Sequence, residues 1–600
     1  MALDEQTPTP GPVPGPAPGA PGASAADRPL SPRWRDNVDL VVFVVTGVIA
    51  IGFVVWGIVS TENLASASTT AQDAVVTNGG WFFVLVSSFF VVYVLWLAAS
   101  RYGKIPLGHD GEKPEFKTVS WIAMMFSAGM GIGLMFYGVA EPLSHFTSPP
   151  PGTVQGGSDE AIEVAMATTM FHWGLHPWAI YAVVGIAIAY GSYRAGRSQT
   201  ISAAFWPLLG RHSEGAFGRV VDILAIFATL FGSAASLGLG ALQIAGGLRF
   251  NGWVGDVGTP VLVGIIAVLT VAFIASAVSG VEKGIQYLSN GNMVLALTLA
   301  VFVFVVGPTL LILNLLPTTL ADYLGQMGEM ASRTAATGDA DMNAWLGDWT
   351  VFYWAWWVSW TPFVGMFIAR ISRGRTIRQF VTGVLLVPTL VSLVWFAVFG
   401  GAAIDQQRSS GDLAPDGVVN FDTALFAMLG DYPLASISTV VVMVLVAVFF
   451  VSGADAASLV MGTLSEKGRI EPSKRTVVFW GTLTGAVAAI MLAVGGNDAL
   501  SGLQRVTVVA SVPFVLVILA LCLSLYRDLR HDPIIVRERA GVALVEVAVT
   551  SGADRHDGGF ELVTAPSEEG VEVAEEQARA VETGGAEGER STRDPDTPGT

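Results

Sequence analysis

From Leu40 onward, uncharged apolar stretches of about 20 residues follow one another almost to the end of this chain. A helix rises about 1.5 Å per residue, so such a stretch matches the roughly 30 Å hydrocarbon layer of a bilayer. The stretches lie near 40–60, 81–100, 118–140, 167–192, 218–247, 257–280, 290–316, 349–369, 377–400, 434–462, 474–496 and 503–526. They predict an all-α integral membrane protein with twelve spans. Composition points the same way: charged residues are 14%, where a soluble domain is about a quarter charged. An ordinary soluble enzyme, a disordered chain and a nucleic-acid binder are excluded. The single Cys522 excludes a disulfide scaffold and a thiolate metal site, and seven His leave little for a metal cluster.

The net charge of −17 is mostly a tail property. Residues 541–600 hold 14 Asp/Glu and 4 Arg, a net of −10, which leaves −7 for the other 540 residues. Residues 1–36, with nine Pro and four Gly, bury too little to fold and read as a disordered arm without signal-peptide features. The expected organisation is that arm, a transporter domain over 37–526, and a tail over 527–600 that begins basic (Arg527, Arg530, Arg537, Arg539) and becomes acidic and disordered. Loops at 101–117, 193–217, 370–376 and 463–475 carry four, three, three and four Lys/Arg, whereas those at 61–80 and 141–166 carry none. Positive charge marks the cytoplasmic side, so both termini are expected there, at the plasma membrane, with the basic tail start beside anionic inner-leaflet lipid. Residues 317–347 are expected to form an amphipathic external helix.

Three segments carry candidate chemistry. The third stretch contains Ser127-Ala-Gly-Met-Gly-Ile-Gly133. Three alternate glycines make either a small-residue packing face or a break that bares backbone, which is tolerated within a membrane only beside a cavity. The eighth reads Phe352-Tyr-Trp-Ala-Trp-Trp-Val-Ser-Trp-Thr-Pro-Phe363. Phe352, Trp356 and Trp360 share about 80° of helical arc. They form either part of an interfacial belt or an aromatic-lined path, and Pro362 is expected to interrupt the helix. The fourth carries Phe171-His-Trp-Gly-Leu-His-Pro-Trp-Ala-Ile-Tyr181. Trp173, Trp178 and Tyr181 fall near enough in angle to make a cage, with a bend at Pro177. Electron-rich ring faces attract a cation that has no protons to share, as in a quaternary ammonium. His172 and His176 read either as ligands or as polar groups satisfied at the bend. If stretches 3–7 and 8–12 are repeats, each begins with an interrupted helix, as in inverted-repeat secondary transporters with a midplane site. The sequence contains no phosphate loop of the form GxxxxGK[ST], so nothing points to ATP. No paired catalytic carboxylates or metal cluster are evident in the spans, so no enzyme is expected.

With GMGIGLMFYGVAEP at 129–142, FHWGLHPWAIY at 171–181 and FYWAWWVSWTPFVGMFIARISRGRTIRQF at 352–380, the chain closely resembles the betaine/choline/carnitine transporter family over roughly 38–530. The resemblance implies twelve spans, two inverted five-helix repeats and a homotrimer. It implies an aromatic box of Trp173, Trp178, Tyr181 and Trp357, with Phe352, Trp356 and Trp360 along the permeation path and the backbone around Met130 and Gly133 facing the substrate. It implies no cofactor, and Na+ as coupling ion at two sites. The first would use main-chain oxygens of Ser127, Met130 and Phe449 with the Ser452 hydroxyl. The second would use Thr229, Ser233, Asn292 and Phe363.

Two positions bear on ion and substrate. Sodium-coupled members of the family carry two adjacent hydroxyl residues where this chain has Ser452-Gly453, so one oxygen is missing unless water or Asp455 supplies it. Gly133 leaves no carboxylate to pair with a bare cation such as choline. A zwitterion brings its own carboxylate, which backbone N–H groups of a broken helix would receive. The expected function is Na+-coupled uptake of a zwitterionic quaternary-ammonium osmolyte, glycine betaine foremost. Ectoine, carnitine, choline or dimethylsulfoniopropionate, proton coupling, and more distantly a channel, are the alternatives.

Overall fold

The computed structural model describes residues 34–129, 131–255, 257–279, 282–337, 339–496, 498–556 and 559–561. Seventeen helices of ten or more residues carry the described chain: α1 Leu40–Val59, α2 Thr61–Ala99, α3 Thr118–Gly129, α4 Ile132–Thr147, α5 Asp159–Trp173, α6 Leu175–Ala189, α7 Ala216–Phe250, α8 Thr259–Ser279, α9 Glu282–Val306, α10 Thr309–Met330, α11 Asp339–Asp348, α12 Thr350–Arg370, α13 Ile377–Ser410, α14 Ala435–Ser465, α15 Lys474–Gly495, α16 Ala499–Arg530 and α17 Pro533–Arg555. The only β pairing among the described residues is an isolated bridge between Pro106 and Thr376. The chain divides into two compact units, one through His531 and one from Asp532.

Nine helices among the described residues are long and apolar enough to cross a membrane, with Asp159–Arg194 counted as one. A tenth arises if α9 and α10, bent by 111° at Gly307-Pro308, are joined. The remaining stretches of the expected twelve lie in α3 with α4, and in α12. The first pair is two short helices. The second is rich in Trp and Tyr, whose polar edges lower its hydropathy, and packing rather than lipid surrounds it. Seventeen of its 21 residues are buried, and α6, α7 and α16 pack against it.

Several boundaries differ from the sequence expectation. Residues 61–80, expected as a loop, form the first half of α2. The seventh stretch ends at Val306, ten residues early, because Pro308 cannot extend the helix. Residues 309–316 instead begin α10, where Ile312, Leu315, Thr319 and Tyr323 bury one stripe. The fourth stretch breaks at Gly174, three residues before the expected bend. A Cβ at Gly174 would meet the Tyr323 hydroxyl at 2.8 Å, and that hydroxyl accepts the Leu175 N–H at 2.9 Å. Pro177 then falls in the first turn of α6, where its missing N–H has no helical partner to lose. The expected interruption at Pro362 does not occur: α12 runs through it. Proline leaves the Val358 carbonyl without its helical donor, and the Thr361 hydroxyl donates to that carbonyl instead. Of the two interrupted helices expected to open the repeats, only the first is interrupted, at α3–α4.

At the ends, Trp34–Asn37 is helical, and the Trp34 indole donates to Thr476 at 3.1 Å. The rest of the expected disordered arm lies outside the described residues. The tail expected to be disordered is helical over Pro533–Arg555, and 562–600 lies outside the described residues.

Candidate functional site

Two helix interruptions and one continuous helix meet at the centre of the first unit. The α3–α4 interruption ends α3 at Gly129 and starts α4 at Ile132, with Gly131 as an N-cap that offers no side chain. The first N–H groups of α4 have no partner in their own helix, and the helix dipole places positive potential there. Gly131, Gly133 and Leu134 line a cavity of about 50 Å3 together with Trp173, Trp178, Tyr181, Trp356, Trp357 and Trp360. Where one water takes about 10–15 Å3 by the same measure, this is space for a few waters.

The rings form a connected cage. Trp173 stands edge-on to Trp357 at 5.0 Å, Tyr181 to Trp357 at 6.4 Å, and Trp178 to Tyr181 at 5.4 Å. Trp356 stacks on Trp357 at 4.6 Å. The structure thus brings together all four box residues implied by the resemblance. Of the path residues, Trp356 and Trp360 line the cavity, while Phe352 is buried behind and stacks on Trp356 at 5.6 Å. The indoles are held by their N–H groups. Trp356 donates to Ser236 Oγ at 3.1 Å, Trp360 to the Gly232 carbonyl at 3.0 Å, and Trp357 to the His172 carbonyl at 3.0 Å. Gly232 admits this close approach of α7 to α12, since a Cβ there would strike Ser359 and lie 3.0 Å from Trp360.

Sequence reasoning missed the residue behind the cage, Glu141 of α4, which is fully buried. Its Oε2 accepts the Trp173 indole N–H at 2.7 Å and the Tyr353 hydroxyl. Its Oε1 lies 2.7 Å from His172 Nδ1, and His172 Nε2 lies 3.0 Å from Thr350 Oγ1. Ligand atoms of Glu141, His145 and His172 lie within 4.8 Å of one another. No metal cluster was expected in the spans; Glu141 and His145 lie just past the third stretch as read from sequence, and α4 carries them in beside His172. The Glu141 oxygens and the His172 nitrogens are, however, already committed to hydrogen bonds, and a cation would have to displace them. The third stretch as read from sequence ends at 140 and leaves Glu141 in the following loop, so the rarity of a carboxylate within a span gives no signal. His176 lies 3.4 Å from Ser88 Oγ and stacks on Trp354 at 4.9 Å, away from the cavity lining.

A second cavity of about 200 Å3 adjoins the cage, sharing Gly131, Trp360 and Val364. Ser233, Ser236, Phe363, Phe449, Ser452 and Gly453 line it. Four of the expected ion-site residues, Phe449, Ser452, Ser233 and Phe363, therefore face one space. The Ser452 hydroxyl donates to the Val448 carbonyl at 2.9 Å, which leaves its lone pairs free to accept or ligate. Ser127 lies in the last turn of α3, and Met130 lies outside the described residues. Thr229 and Asn292 are not in this lining. Thr229 donates along its own helix to Ala225 at 2.8 Å, and the Asn292 amide donates to the Leu445 carbonyl at 3.3 Å. Asp455 is half-buried and also outside the lining.

A multi-helix membrane protein with a central aromatic cage beside a free helix N-terminus belongs to the class of small-solute membrane carriers. Residues 41–534 match the profile of the betaine/carnitine/choline family of transporters, and the chain belongs to that family. It is 45% identical over 538 residues to the betaine/ectoine transporter LcoP of Corynebacterium glutamicum, covering 90% of this chain and 85% of that one. It is 44% identical over 493 residues to the glycine betaine transporter OpuD of Bacillus subtilis, covering 82% and 94%. A glycine betaine/proline/choline/ectoine transporter of Vibrio parahaemolyticus is 41% identical over 495 residues, covering 81% and 86%. The protein is a transporter of the quaternary-ammonium osmolyte class and not an enzyme.

Proposed function

We propose that the protein takes up glycine betaine, or a close zwitterionic relative, by sodium-coupled secondary transport. The observation that carries the reading is the pairing of the four-ring cage with the α4 N-terminus on one cavity. The cage accepts a trimethylammonium group through ring faces, each desolvated contact contributing about 2 kcal/mol. The helix N-terminus receives the carboxylate. Relatives named for betaine and ectoine support this substrate class.

Sodium coupling is supported by the adjoining cavity, where serine hydroxyls and the helix interruption offer the hard oxygen ligands that Na+ takes. Gly453 favours proton coupling as the second reading, because it withholds one such oxygen. The proposed architecture is twelve spans in two inverted repeats, trimeric, in the plasma membrane with cytoplasmic termini. Positive residues in alternate loops support that orientation. The basic residues Arg527, Arg530, Arg537 and Arg539 would attract anionic inner-leaflet lipid.

Uptake of labelled glycine betaine into proteoliposomes tests the proposal. Saturable accumulation driven by an inward Na+ gradient is expected, with competition by other zwitterionic ammonium solutes. Accumulation driven by a proton gradient alone would overturn the coupling, and non-saturable flux would point to a channel.

A further inference from the structure

We propose that Glu141 is a specificity-determining residue. Its carboxylate, bonded to the back of Trp173, raises the affinity of the cage for a positively charged ammonium over a neutral group of the same shape. The inference rests on the substrate reading above and concerns how that site selects charge.

The geometry around Glu141 is that of an acceptor. The indole N–H of Trp173 can only donate, and it does so to Oε2 at 2.7 Å. Tyr353 donates to the same oxygen, and His172 Nδ1 stands on the other at 2.7 Å. With Oε2 filled by two donors, the carboxyl is an acceptor toward Trp173 wherever a proton sits on the Oε1–His172 side. Its negative charge is part of the proposal, favoured by these donors and opposed by burial. The residue, His172 and Tyr353 are all fully buried, so water does not screen the charge.

Two consequences follow for the cavity. A negative acceptor on an indole N–H pushes electron density into the ring, and cation–π attraction depends on that density. The carboxylate also acts directly on a cation at the ring, through a medium that weakens fields far less than water. The Trp173 ring lines the cavity, while its N–H faces away to Glu141. The charge therefore reaches the solute through the ring without ever touching it. A neutral solute of equal size gains nothing from either effect.

Glycine betaine has a carbon isostere, 3,3-dimethylbutanoate, with the same carboxylate and a tert-butyl group in place of trimethylammonium. Titration calorimetry on the full chain in nanodiscs would give the affinity for each. Wild type is expected to prefer betaine, and Glu141→Gln should lower that preference about tenfold, mainly through weaker betaine binding. Equal losses for both solutes would show that Glu141 only braces the cage, and an unchanged ratio would show that it does neither; each overturns the inference. If Glu141→Gln does not insert, replacing the Trp173 indole by a benzothiophene of equal size, which lacks the N–H, must lower the same ratio. Failure of wild type to bind betaine at all would overturn the substrate reading first, and this inference with it.

Discussion

The indole N–H of Trp357 donates to the backbone carbonyl of His172 at 3.0 Å, across 185 positions of sequence. That bond ties a cage ring on α12 to the last turn of α5, next to the residue that supplies another, Trp173. The two walls of the cage are therefore fixed to each other by backbone as well as by ring contact.

Trp357→Leu should raise the apparent KM for glycine betaine about 30-fold, the equivalent of one desolvated cation–π contact of about 2 kcal/mol. Size-exclusion chromatography should show the wild-type elution profile. Unchanged KM in a well-folded variant would place the ammonium elsewhere.

Gly133→Ala should weaken the affinity of uptake. A Cβ at this position would lie 2.8 Å from Cη2 of both Trp173 and Trp356, so these cavity-lining rings would have to shift. Overpacking of this kind costs about 1–3 kcal/mol, so an affinity loss of roughly tenfold or more is expected. Gly133→Asp carries the same clash, so it does not test charge alone. Wild-type affinity in Gly133→Ala would mean that the rings move apart during binding.

Ser452→Ala should raise the Na+ concentration for half-maximal uptake, with little change in solute KM at saturating Na+. Each oxygen removed from a cation site must be replaced by retained water. Gly453→Ser should do the opposite. A Cβ there meets nothing within 4 Å, so the hydroxyl is added without strain. Sodium dependence is read from initial uptake rates, and if neither variant shifts it the adjoining cavity is not the coupling site.

Asp422→Asn should stabilise the protein at pH 7.5 and change little below about pH 4. Burial raises the Asp422 carboxyl from 3.8 to about 6, with Arg249 opposing the rise and Asp498 adding to it. The folded chain holds its proton up to about pH 6, while the unfolded chain releases it near 3.8. Between these values the folded state binds more protons, so stability falls as pH rises through that window and stays at the lower level above it. Asn removes the buried charge and hence the loss. Thermal unfolding in detergent at pH 4 and 7.5 reads the difference, and an equal shift at both would refute the titration.

Much of the fold was legible because the signals are local. A run of about 20 apolar residues is a helix across a bilayer whatever surrounds it, since no other conformation satisfies its backbone there. The α3–α4 interruption was legible for the same reason, as glycines at 129, 131 and 133 weaken a helix from within. Trp178 and Tyr181 could be grouped because they share one helix and its angle, whereas Trp173 lies before the break at Gly174 and joins them through tertiary packing. Assigning Trp357 to the same box required resemblance to a family.

Interactions between distant residues decided the rest. Whether Pro362 breaks its helix depends on Thr361 reaching the Val358 carbonyl and on the helices packed around α12. The bend of the fourth stretch sits at Gly174 because Tyr323, from another helix 148 positions beyond Leu175, takes the freed N–H. Glu141 and Tyr353 are 212 positions apart, yet they share a hydrogen bond behind the cage. Glu141 stands one position beyond the third stretch as read from sequence, so neither its burial nor its partners were declared there. Only the packed structure places an indole, a phenol and an imidazole around it, because burial without those donors would be too unfavourable to persist.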